Sequence, residues 1–381
     1  MVFKRILHPV GQGAFFSEQF FDDAGMVVFN VVYDCGEKNT TKHLVKEIDN
    51  TFNLTDKPEV IDILFISHLD EDHINGISYL VGKKCLTKDS VVILPLHYPL
   101  VLKLILQQIG SSANIAGYEG LMSLFDSGAK ILGVDDNDEV RANDALNIDE
   151  GLANVAPYTA VNSMQPLQYR GLWNYLPFNT ILDDNRYQKF LDELKAAKID
   201  RDRLADITYV QKHLDKLIDI YKTLPKSIGS VTAINVNSLN VLSYAANDIE
   251  YQDIWLNYLD LSHIWWHPWF DDMVFRSRCS CLYTGDCVMD VHFEHCIDSF
   301  TKYIIPCIGM LQIPHHGRAT CYNPAIVQRG DILAGFTNFN STHKANKFVK
   351  QIVHDFSVLG KIFVQITEHF HSRLELYVHL R

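Results

Sequence analysis

Residues 61–76 read Ile-Asp-Ile-Leu-Phe-Ile-Ser67-His68-Leu-Asp70-Glu-Asp72-His73-Ile-Asn-Gly76, an apolar run followed at once by imidazoles and carboxylates. The apolar run predicts a buried strand, and the residues after it predict a tight turn that enters a helix. Two imidazoles and two carboxylates packed into a buried turn would repel and desolvate one another unless a cation lay between them. The segment therefore predicts a metal site at the end of a strand, with a solvated polar loop as the alternative.

The composition is that of a globular protein with an acidic surface. The chain has 381 residues, of which 47% are hydrophobic and 21% charged, and its net charge is −12. It has no apolar run of membrane-spanning length and does not begin with the apolar core of a secretory signal, so we expect a cytoplasmic location and no membrane partner. The acidic surface would repel a phosphate backbone, so a nucleic-acid substrate would require a local basic groove.

The order of the predicted elements is strands, then helices, then strands. Short apolar and β-branched runs predict strands at residues 27–33, 91–94, 231–235, 239–244, 279–283, 310–313, 332–336 and 361–366. Apolar residues three and four apart predict helices at residues 99–110, 117–132, 183–197 and 200–224. This order favours a layered α/β fold whose two β-rich halves, residues 1–99 and 226–381, are separated by a mainly helical insertion at residues 100–225.

Two further polar clusters stand at the ends of predicted strands. One reads Thr284-Gly285-Asp286, with a carboxylate directly after a glycine turn, and the other reads His315-His316-Gly317. Each is weak alone, because Gly-Asp turns are common and buried histidines are more often structural than metal-binding. Together with the first cluster they supply enough histidines and aspartates for two metal ions with open water positions, as hydrolytic sites require.

Four motifs together resemble the metallo-β-lactamase superfamily, and within it the branch similar to the hydrolase domain of the competence protein ComEC. They cover about residues 8–100 and 227–345, and they leave the insertion unexplained. In chain order they are Val10-Gly11-Gln12-Gly13-Ala14 with Tyr33-Asp34-Cys35-Gly36; Ser67-His68-Leu69-Asp70-Glu71-Asp72-His73 with Gly76; Asn237-Ser238-Leu239-Asn240-Val241-Leu242 leading to Tyr283-Thr284-Gly285-Asp286; and Ile313-Pro314-His315-His316-Gly317. The resemblance implies a metallo-β-lactamase αββα sandwich and a metal-dependent hydrolase.

Carried over position by position, the resemblance implies ligands for two divalent ions, zinc or manganese. His68 and Asp70 would face one ion, and Asp72 and His73 would face the other. Asp286 would bridge the two ions. Because Asp70 stands where the superfamily commonly has a second histidine, the pocket is harder and more anionic, which makes manganese credible beside zinc.

The resemblance also implies roles around these ligands. His315 would complete a ligand shell, and His316 is either a ligand or a donor behind the ligands. Asp34 would orient a ligating histidine by accepting its second N–H. The superfamily's middle histidine has no clear counterpart; His97 is a candidate, with an ordinary loop histidine as the alternative.

The reaction implied by the resemblance is hydrolysis by a metal-activated water. Asp72 or Asp286 would accept a proton from that water, and His316 would stabilise the developing charge or protonate the leaving group. His343 is a second candidate for this last role, and a surface-loop histidine is the alternative interpretation.

Three residues are candidates for contact with the substrate. Arg318 directly follows the His-His-Gly turn and would bind a phosphate, or it pairs with an acidic neighbour. Trp265 and Trp266 would stack on a planar group of the substrate, or they pack against the core or a dimer partner.

The expected function is cleavage of a phosphodiester in a nucleotide, a cyclic nucleotide or a nucleic acid. An ester, lactone or thioester hydrolase is the first alternative, because the same metal site serves both chemistries. A catalytically inactive, metal-stabilised interaction protein is the second. The insertion is a platform for a partner protein or a homodimer contact.

Overall fold

The computed structural model describes residues 1–52, 58–95, 115–135, 144–152, 156, 160–179, 185–204, 206–223, 238–246, 251–258, 264–265, 279–341 and 346–380. Its strands are β1 (Val2–Leu7), β2 (Phe15–Phe21), β3 (Val27–Cys35), β4 (Ile63–Phe65), β5 (Val91–Pro95), β6 (Lys130–Val134), β7 (Leu146–Asn147), β8 (Ala160–Val161), β9 (Leu167–Tyr169), β10 (Trp173–Asn179), β11 (Leu239–Ala245), β12 (Tyr251–Tyr258), β13 (Ile264–Trp265), β14 (Cys281–Tyr283), β15 (Ile308–Gln312), β16 (Ile332–Asn338), β17 (Ile362–Ile366) and β18 (Leu374–Leu380).

The α-helices are α1 (Lys42–Phe52), α2 (Glu71–Ile74), α3 (Ile77–Gly82), α4 (Ile115–Asp126), α5 (Asn185–Ala196), α6 (Ile207–Lys212), α7 (Leu214–Thr223), α8 (Val291–Tyr303), α9 (Pro324–Val327) and α10 (Asn346–Val358). Short 3₁₀ turns lie at Arg201–Arg203, His315–Gly317 and Phe370–Ser372. None of the helices in the described ranges combines the length and the apolar character that a membrane crossing requires.

In the described part of the chain the strands form two nine-stranded sheets. The first has the order β12-β18-β1-β2-β3-β4-β5-β6-β8, and the second has the order β13-β17-β16-β15-β14-β11-β10-β9-β7. Strands β3 to β6 are parallel in the first sheet, and β14 to β17 are parallel in the second. Parallel neighbours end at the same edge of a sheet, so the turns that follow them lie close together.

The two sheets face each other across an aromatic core. The ring of Phe16 in β2 stacks on that of Tyr283 in β14 at 5.5 Å and meets that of Phe336 in β16 edge-on at 5.4 Å. At another point Phe3 of β1 stacks on Trp173 of β10 at 4.0 Å. All five rings are buried, so they contribute both apolar area and ring geometry to holding the sheets together.

Helices cover the outer face of each sheet. Leu44 of α1 belongs to a buried cluster with Leu64 of β4 in the first sheet. On the other side Phe293 of α8 and Phe356 of α10 belong to a cluster with Leu311 of β15 in the second sheet. Central strands buried on both faces explain the nearly continuous apolar runs of the sequence. The predicted α/β class is confirmed.

The described part of segment 100–225 contains strands besides the helices that we predicted for the insertion. Strands β6 and β8 join the first sheet, and β7, β9 and β10 join the second, so its middle part is strand rather than helix. The predicted helix 117–132 ends as α4 at Asp126, because Gly128 adopts a φ of 74° and turns the chain into β6. A short apolar run fits the helical period and the strand period equally well, which explains why the predicted helix was extended into β6.

The other predicted elements agree with the structure where it describes them. Helix α5 lies within residues 183–197, and α6 and α7 lie within residues 200–224. The predicted helix at 99–110 and the predicted strand at 231–235 both fall wholly outside the described residues. The division of the chain into two half-domains and an insertion stays a prediction.

Candidate metal centre

The predicted ligands converge where the parallel strands of both sheets end. Asp34 lies at the end of β3, and His68 and His73 lie in the turn and short helix after β4. Asp286 follows β14, and His316 lies in the 3₁₀ turn after β15. Because the two sheets face each other, these turns meet at one end of the molecule, the position at which α/β sheets form clefts.

Two groups of side chains within this cluster have the spacing of metal ligands. The first consists of His68, His73 and Asp286, and the second of Asp72, His73 and His316. The ligand atoms within each group lie within 4.8 Å of one another. Both groups share His73, so the described residues form one continuous centre.

The distances inside the groups fit a shared ion better than direct hydrogen bonds. His73 Nε2 lies 3.4 Å from Asp286 Oδ1, and His316 Nε2 lies 3.3 Å from Asp72 Oδ2. His68 Nε2 lies 3.6 Å from Asp286 Oδ2. Two ligand atoms at about 2.1 Å from one tetrahedral ion are about 3.4 Å apart. The separations are therefore those expected around a divalent cation.

Three imidazole nitrogens at the centre lack hydrogen-bond partners. The Nε2 atoms of His68, His73 and His316 are buried and make no hydrogen bond. A buried polar atom without a partner loses its hydration without compensation, which costs about 1–3 kcal/mol. Metal ions held by the two ligand groups would remove that cost, so the residues fit divalent metal ions.

The opposite nitrogens of His68 and His73 are held by Asp34 and Ser67. His73 Nδ1 lies 2.8 Å from Asp34 Oδ2, and His68 Nδ1 lies 2.9 Å from Ser67 Oγ. The Ser67 hydroxyl donates to Asp34 Oδ2 at 2.6 Å, so it accepts from His68 Nδ1–H. Both rings therefore carry a proton on Nδ1 and turn Nε2 towards the centre, so Nε2 is the nitrogen that remains to bind a metal ion.

His316 is oriented in the same way from the second sheet. Its Nδ1–H donates to the backbone carbonyl of Asn338, at the end of β16, over 3.0 Å. A carbonyl only accepts, so Nδ1 carries a proton and Nε2 is the nitrogen that faces the centre. The structure thus brings His316 into the second ligand group, whereas the sequence had left its position open.

Backbone strain is concentrated at this site. Asp34, His315 and His316 have φ values of 55°, 52° and 54°, in the left-handed region that non-glycine residues rarely adopt. Such conformations cost of order 1–3 kcal/mol each and persist where the surroundings impose them. Three strained residues in one cluster are typical of a functional site.

Two glycines permit the close approach of the segments that carry the ligands. A Cβ on Gly36 would lie 2.2 Å from the carbonyl carbon of Asp72, so only glycine lets β3 end against α2. Gly285 has a φ of 53°, and a Cβ there would lie 2.5 Å from the Cβ of Ser67. The glycine turn predicted before Asp286 is therefore a contact between the two halves of the centre.

The electrostatics of the centre favour bound positive charge. Burial opposes ionisation of Asp72 and Asp286, but the surrounding imidazoles, His316 and His73 foremost, outweigh it and hold the pKa of both carboxyls below the usual range. Burial likewise lowers the pKa of His73, yet Asp286 and Asp34 outweigh it and raise that pKa well above its ordinary value. For His68, burial and the neighbouring His73 lower the pKa to about 3.

His315 and Asp70 lie beside the ligand groups rather than within them. His315 Nε2 is 3.6 Å from Asp286 Oδ2, and Arg318 Nη1 donates to the same nitrogen over 3.2 Å. Asp70 Oδ2 is 3.8 Å from His68 Nε2, and its side chain is 31% exposed. Arg318 therefore lies beside His315, and its predicted contact with a phosphate stays a prediction.

Of the four remaining predicted residues, Trp265 alone falls within the described ranges. Trp265 belongs to β13, paired with Phe363 of β17. Trp266, His97 and His343 lie outside the described residues. The predicted stacking and ligand roles of these four residues stay predictions.

Sequence reasoning assigned no role to several residues that shape the centre. Ser67 orients two histidines, the Asn338 carbonyl orients a third, and Gln312 Oε1 accepts from the backbone N–H of Thr284. Lys38 Nζ lies 3.5 Å from Asp72 Oδ1. The only sequence signal for Ser67 and Gln312 was their position next to a predicted ligand motif.

No protein-family model and no curated protein matches this chain.

Proposed function

We propose that this protein is a metal-dependent hydrolase of the metallo-β-lactamase superfamily, similar to the ComEC-like branch, that cleaves a phosphodiester. The observation that carries the proposal is the convergence of three buried imidazole nitrogens, none of which makes a hydrogen bond, on the carboxylates of Asp72 and Asp286. Two facing sheets with helices outside them, and ligands at the ends of parallel strands, agree with the αββα sandwich of that superfamily. The resemblance of the four sequence motifs is the second support.

The ligand set that we propose combines both halves of the chain. His68, His73 and Asp286 would hold one divalent ion, and Asp72 and His316 would hold a second beside it with His73 between the two groups. When bound, zinc or manganese would activate water and polarise a phosphoryl oxygen.

The surrounding residues bind and orient rather than react. Asp34 and Ser67 keep the Nδ1 protons of His68 and His73 pointing away from the centre. The low pKa values of Asp72 and Asp286 keep both carboxylates ionised, which suits cation binding. Of the adjacent histidines His315 and His316, only His316 belongs to a ligand group. We therefore assign His315, and Arg318 beside it, to the substrate side of the centre.

The test is metal analysis combined with hydrolysis of two model substrates. We expect the full-length protein to bind zinc or manganese and to hydrolyse bis-p-nitrophenyl phosphate in a metal-dependent way. Asp286→Asn should lose most of the metal and the turnover, whereas Asp89→Asn, in the exposed turn that precedes β5, should keep both.

Other outcomes would select the alternatives. Hydrolysis of p-nitrophenyl acetate or of a lactone without hydrolysis of the phosphodiester would favour the ester, lactone or thioester hydrolase. Bound metal with no turnover of any substrate would favour an inactive interaction protein. Absence of bound metal together with full activity of Asp286→Asn would remove the proposed centre.

A further inference from the structure

Lys38 is a cation at the solvent side of the metal centre. It follows the close turn at Gly36, and its backbone N–H donates to the carbonyl of Gln12 over 2.7 Å, which fixes the start of its side chain. Its Nζ lies 3.5 Å from Asp72 Oδ1, and 38% of the side chain is exposed, against 6% for Asp72. The ammonium group therefore lies between the buried carboxylate and water.

The two oxygens of Asp72 face different partners. Oδ2 faces His316 Nε2 at 3.3 Å, inside the proposed ligand group, and Oδ1 faces Lys38. An ammonium group has three N–H donors, and Asp72 lies on one side of it only. Since the side chain is partly exposed, donors remain available to a group that enters from solvent.

An anionic substrate needs such a cation at this site. The carboxylates of Asp34, Asp70, Asp72 and Asp286 surround the centre, and the chain carries a net charge of −12. Bound metal ions would neutralise the inner carboxylates, and a cation at the rim would then attract the negative charge of a phosphate.

We propose that Lys38 binds a non-bridging phosphoryl oxygen of the substrate, beside the metal centre and in company with Arg318. The two cations come from different halves of the chain: Lys38 contacts Asp72 from the loop after β3, and Arg318 contacts His315 after β15. This assignment deepens the proposed function and rests on it. It selects phosphate esters over uncharged esters and lactones, because a neutral carbonyl substrate offers no anionic oxygen to the ammonium group.

The competing role for Lys38 is to orient Asp72 as a metal ligand. The two roles predict different measurements. A positioning residue would change metal affinity and the hydrolysis of every substrate together, whereas a phosphate-binding residue would change phosphate affinity and leave metal affinity unaltered.

The experiment titrates inorganic phosphate into the full-length protein, with and without manganese, by calorimetry. We expect Lys38→Met to raise the Kd for phosphate about tenfold, the loss of one charge-assisted hydrogen bond, while Lys38→Arg stays within about threefold of the native protein. The matched control is Lys83→Met, because Lys83 forms a similar ion pair with Asp49 at 3.6 Å and is 44% exposed. It should leave the Kd unchanged.

Kinetics provide the second readout. Lys38→Met should raise KM for bis-p-nitrophenyl phosphate with a smaller change in kcat, and any hydrolysis of p-nitrophenyl acetate should be unaffected. An unchanged phosphate Kd in Lys38→Met, or a parallel loss of manganese affinity, would overturn the assignment. A failure of the proposed function is distinguished by a different measurement, because the native protein would then hydrolyse neither substrate. The phosphate titration would still decide the role of Lys38.

Discussion

Hydrogen bonds to the Nδ1 atoms of His68 and His73 fix the orientation of the Nε2 atoms that face the metal centre. Ser67 accepts from His68 Nδ1–H and donates to Asp34, and Asp34 accepts from His73 Nδ1–H. One serine hydroxyl thus completes a chain of hydrogen bonds that sets the tautomer of two candidate ligands. Partners behind metal ligands of this kind contribute strongly to metal affinity.

We therefore expect Ser67→Ala to weaken metal binding. Loss of the hydroxyl leaves His68 Nδ1 without its acceptor, and metal affinity should fall about 10- to 100-fold with little change in fold. Competition with a fluorescent chelator measures this affinity. Ser90→Ala removes another buried serine hydroxyl, which accepts from the backbone N–H of Thr87 in the turn before β5, and should leave the affinity unchanged. Equal effects of both variants would contradict the role of Ser67.

A buried histidine outside the metal centre, His8, makes stability depend on pH. Burial lowers its pKa from 6.5 to about 4, and its two nitrogens contact Glu47 at 3.0 Å and Ser17 at 2.8 Å. In the folded protein His8 is neutral down to about pH 4, whereas in the unfolded chain it takes a proton below pH 6.5. Its contribution is complete above pH 6.5 and is lost as the pH falls towards 4.

The free energy of unfolding should fall by up to about 3 kcal/mol through this group alone as the pH falls from 6.5 to 4. Urea unfolding in the presence of a chelator, which removes the contribution of metal release, measures the slope. His8→Asn should be less stable at neutral pH and should show a shallower slope. A variant with the native slope would show that another group titrates in this interval.

At the scale of secondary-structure elements, the contact between β3 and α2 determines whether the ligands meet. Gly36 directly follows β3 and lies against the backbone of Asp72 and His73. The N–H of Ala14 donates to the Asp72 carbonyl over 3.0 Å. The helix that carries two candidate ligands is thereby fixed to the strand that carries Asp34. A shift of a few tenths of an ångström here would displace both ligands.

Gly36→Ala should therefore damage stability and metal binding together. Its Cβ would lie 2.2–2.3 Å from backbone atoms of Asp72 and His73, which cannot move without the helix. We expect a loss of about 1–3 kcal/mol in unfolding free energy, the usual cost of overpacking, measured by urea denaturation. Gly82→Ala is the matched control, because a Cβ there meets no atom within 4 Å. Native metal affinity in Gly36→Ala would contradict the argument.

At the scale of the whole molecule, a buried polar network joins the two sheets. Arg5 of β1 forms an ion pair with Glu18 of β2 at 2.7 Å and donates to Ser243 of β11 at 3.1 Å and to the hydroxyl of Tyr283 of β14 at 3.1 Å. Glu18 accepts from the same Ser243 and Tyr283. The network fixes the position of one sheet on the other. Its member in β14, Tyr283, lies three residues before the candidate ligand Asp286.

Arg5→Met should be strongly destabilising because it leaves the Glu18 carboxylate buried without its cation. Removal of one member of a buried pair costs about 3–5 kcal/mol, whereas an exposed pair contributes about 0–1 kcal/mol. Arg203→Met breaks the exposed pair with Asp206 and serves as the control in urea unfolding. A loss in Arg5→Met as small as that of the control would show that the aromatic core alone holds the sheets in register.

Sequence patterns predicted some strands and site residues of this molecule and missed others for identifiable reasons. The apolar runs of β3, β5 and β17 and the His-Asp cluster after β4 are local features, and local periodicity is sufficient to detect them. Strands β6 to β10 were not predicted, because short apolar segments fit helix and strand alike. Strands β1, β2, β12, β13 and β18 were not predicted either. Ser67 and Lys38 carry no signal of their own, because their importance comes from partners distant in the chain.

The sequence by itself determined the α/β class, the strand ends that carry imidazoles and carboxylates, and the candidate ligands, because these follow from residue type and local spacing. Only the tertiary structure decided which nitrogen of each imidazole faces the centre, that His316 joins Asp72, and that Lys38 lies at the rim. Those facts depend on contacts such as Asp34 with His73 and His316 with Asn338, 39 and 22 residues apart. The packing of two sheets creates such contacts, and no local pattern specifies them.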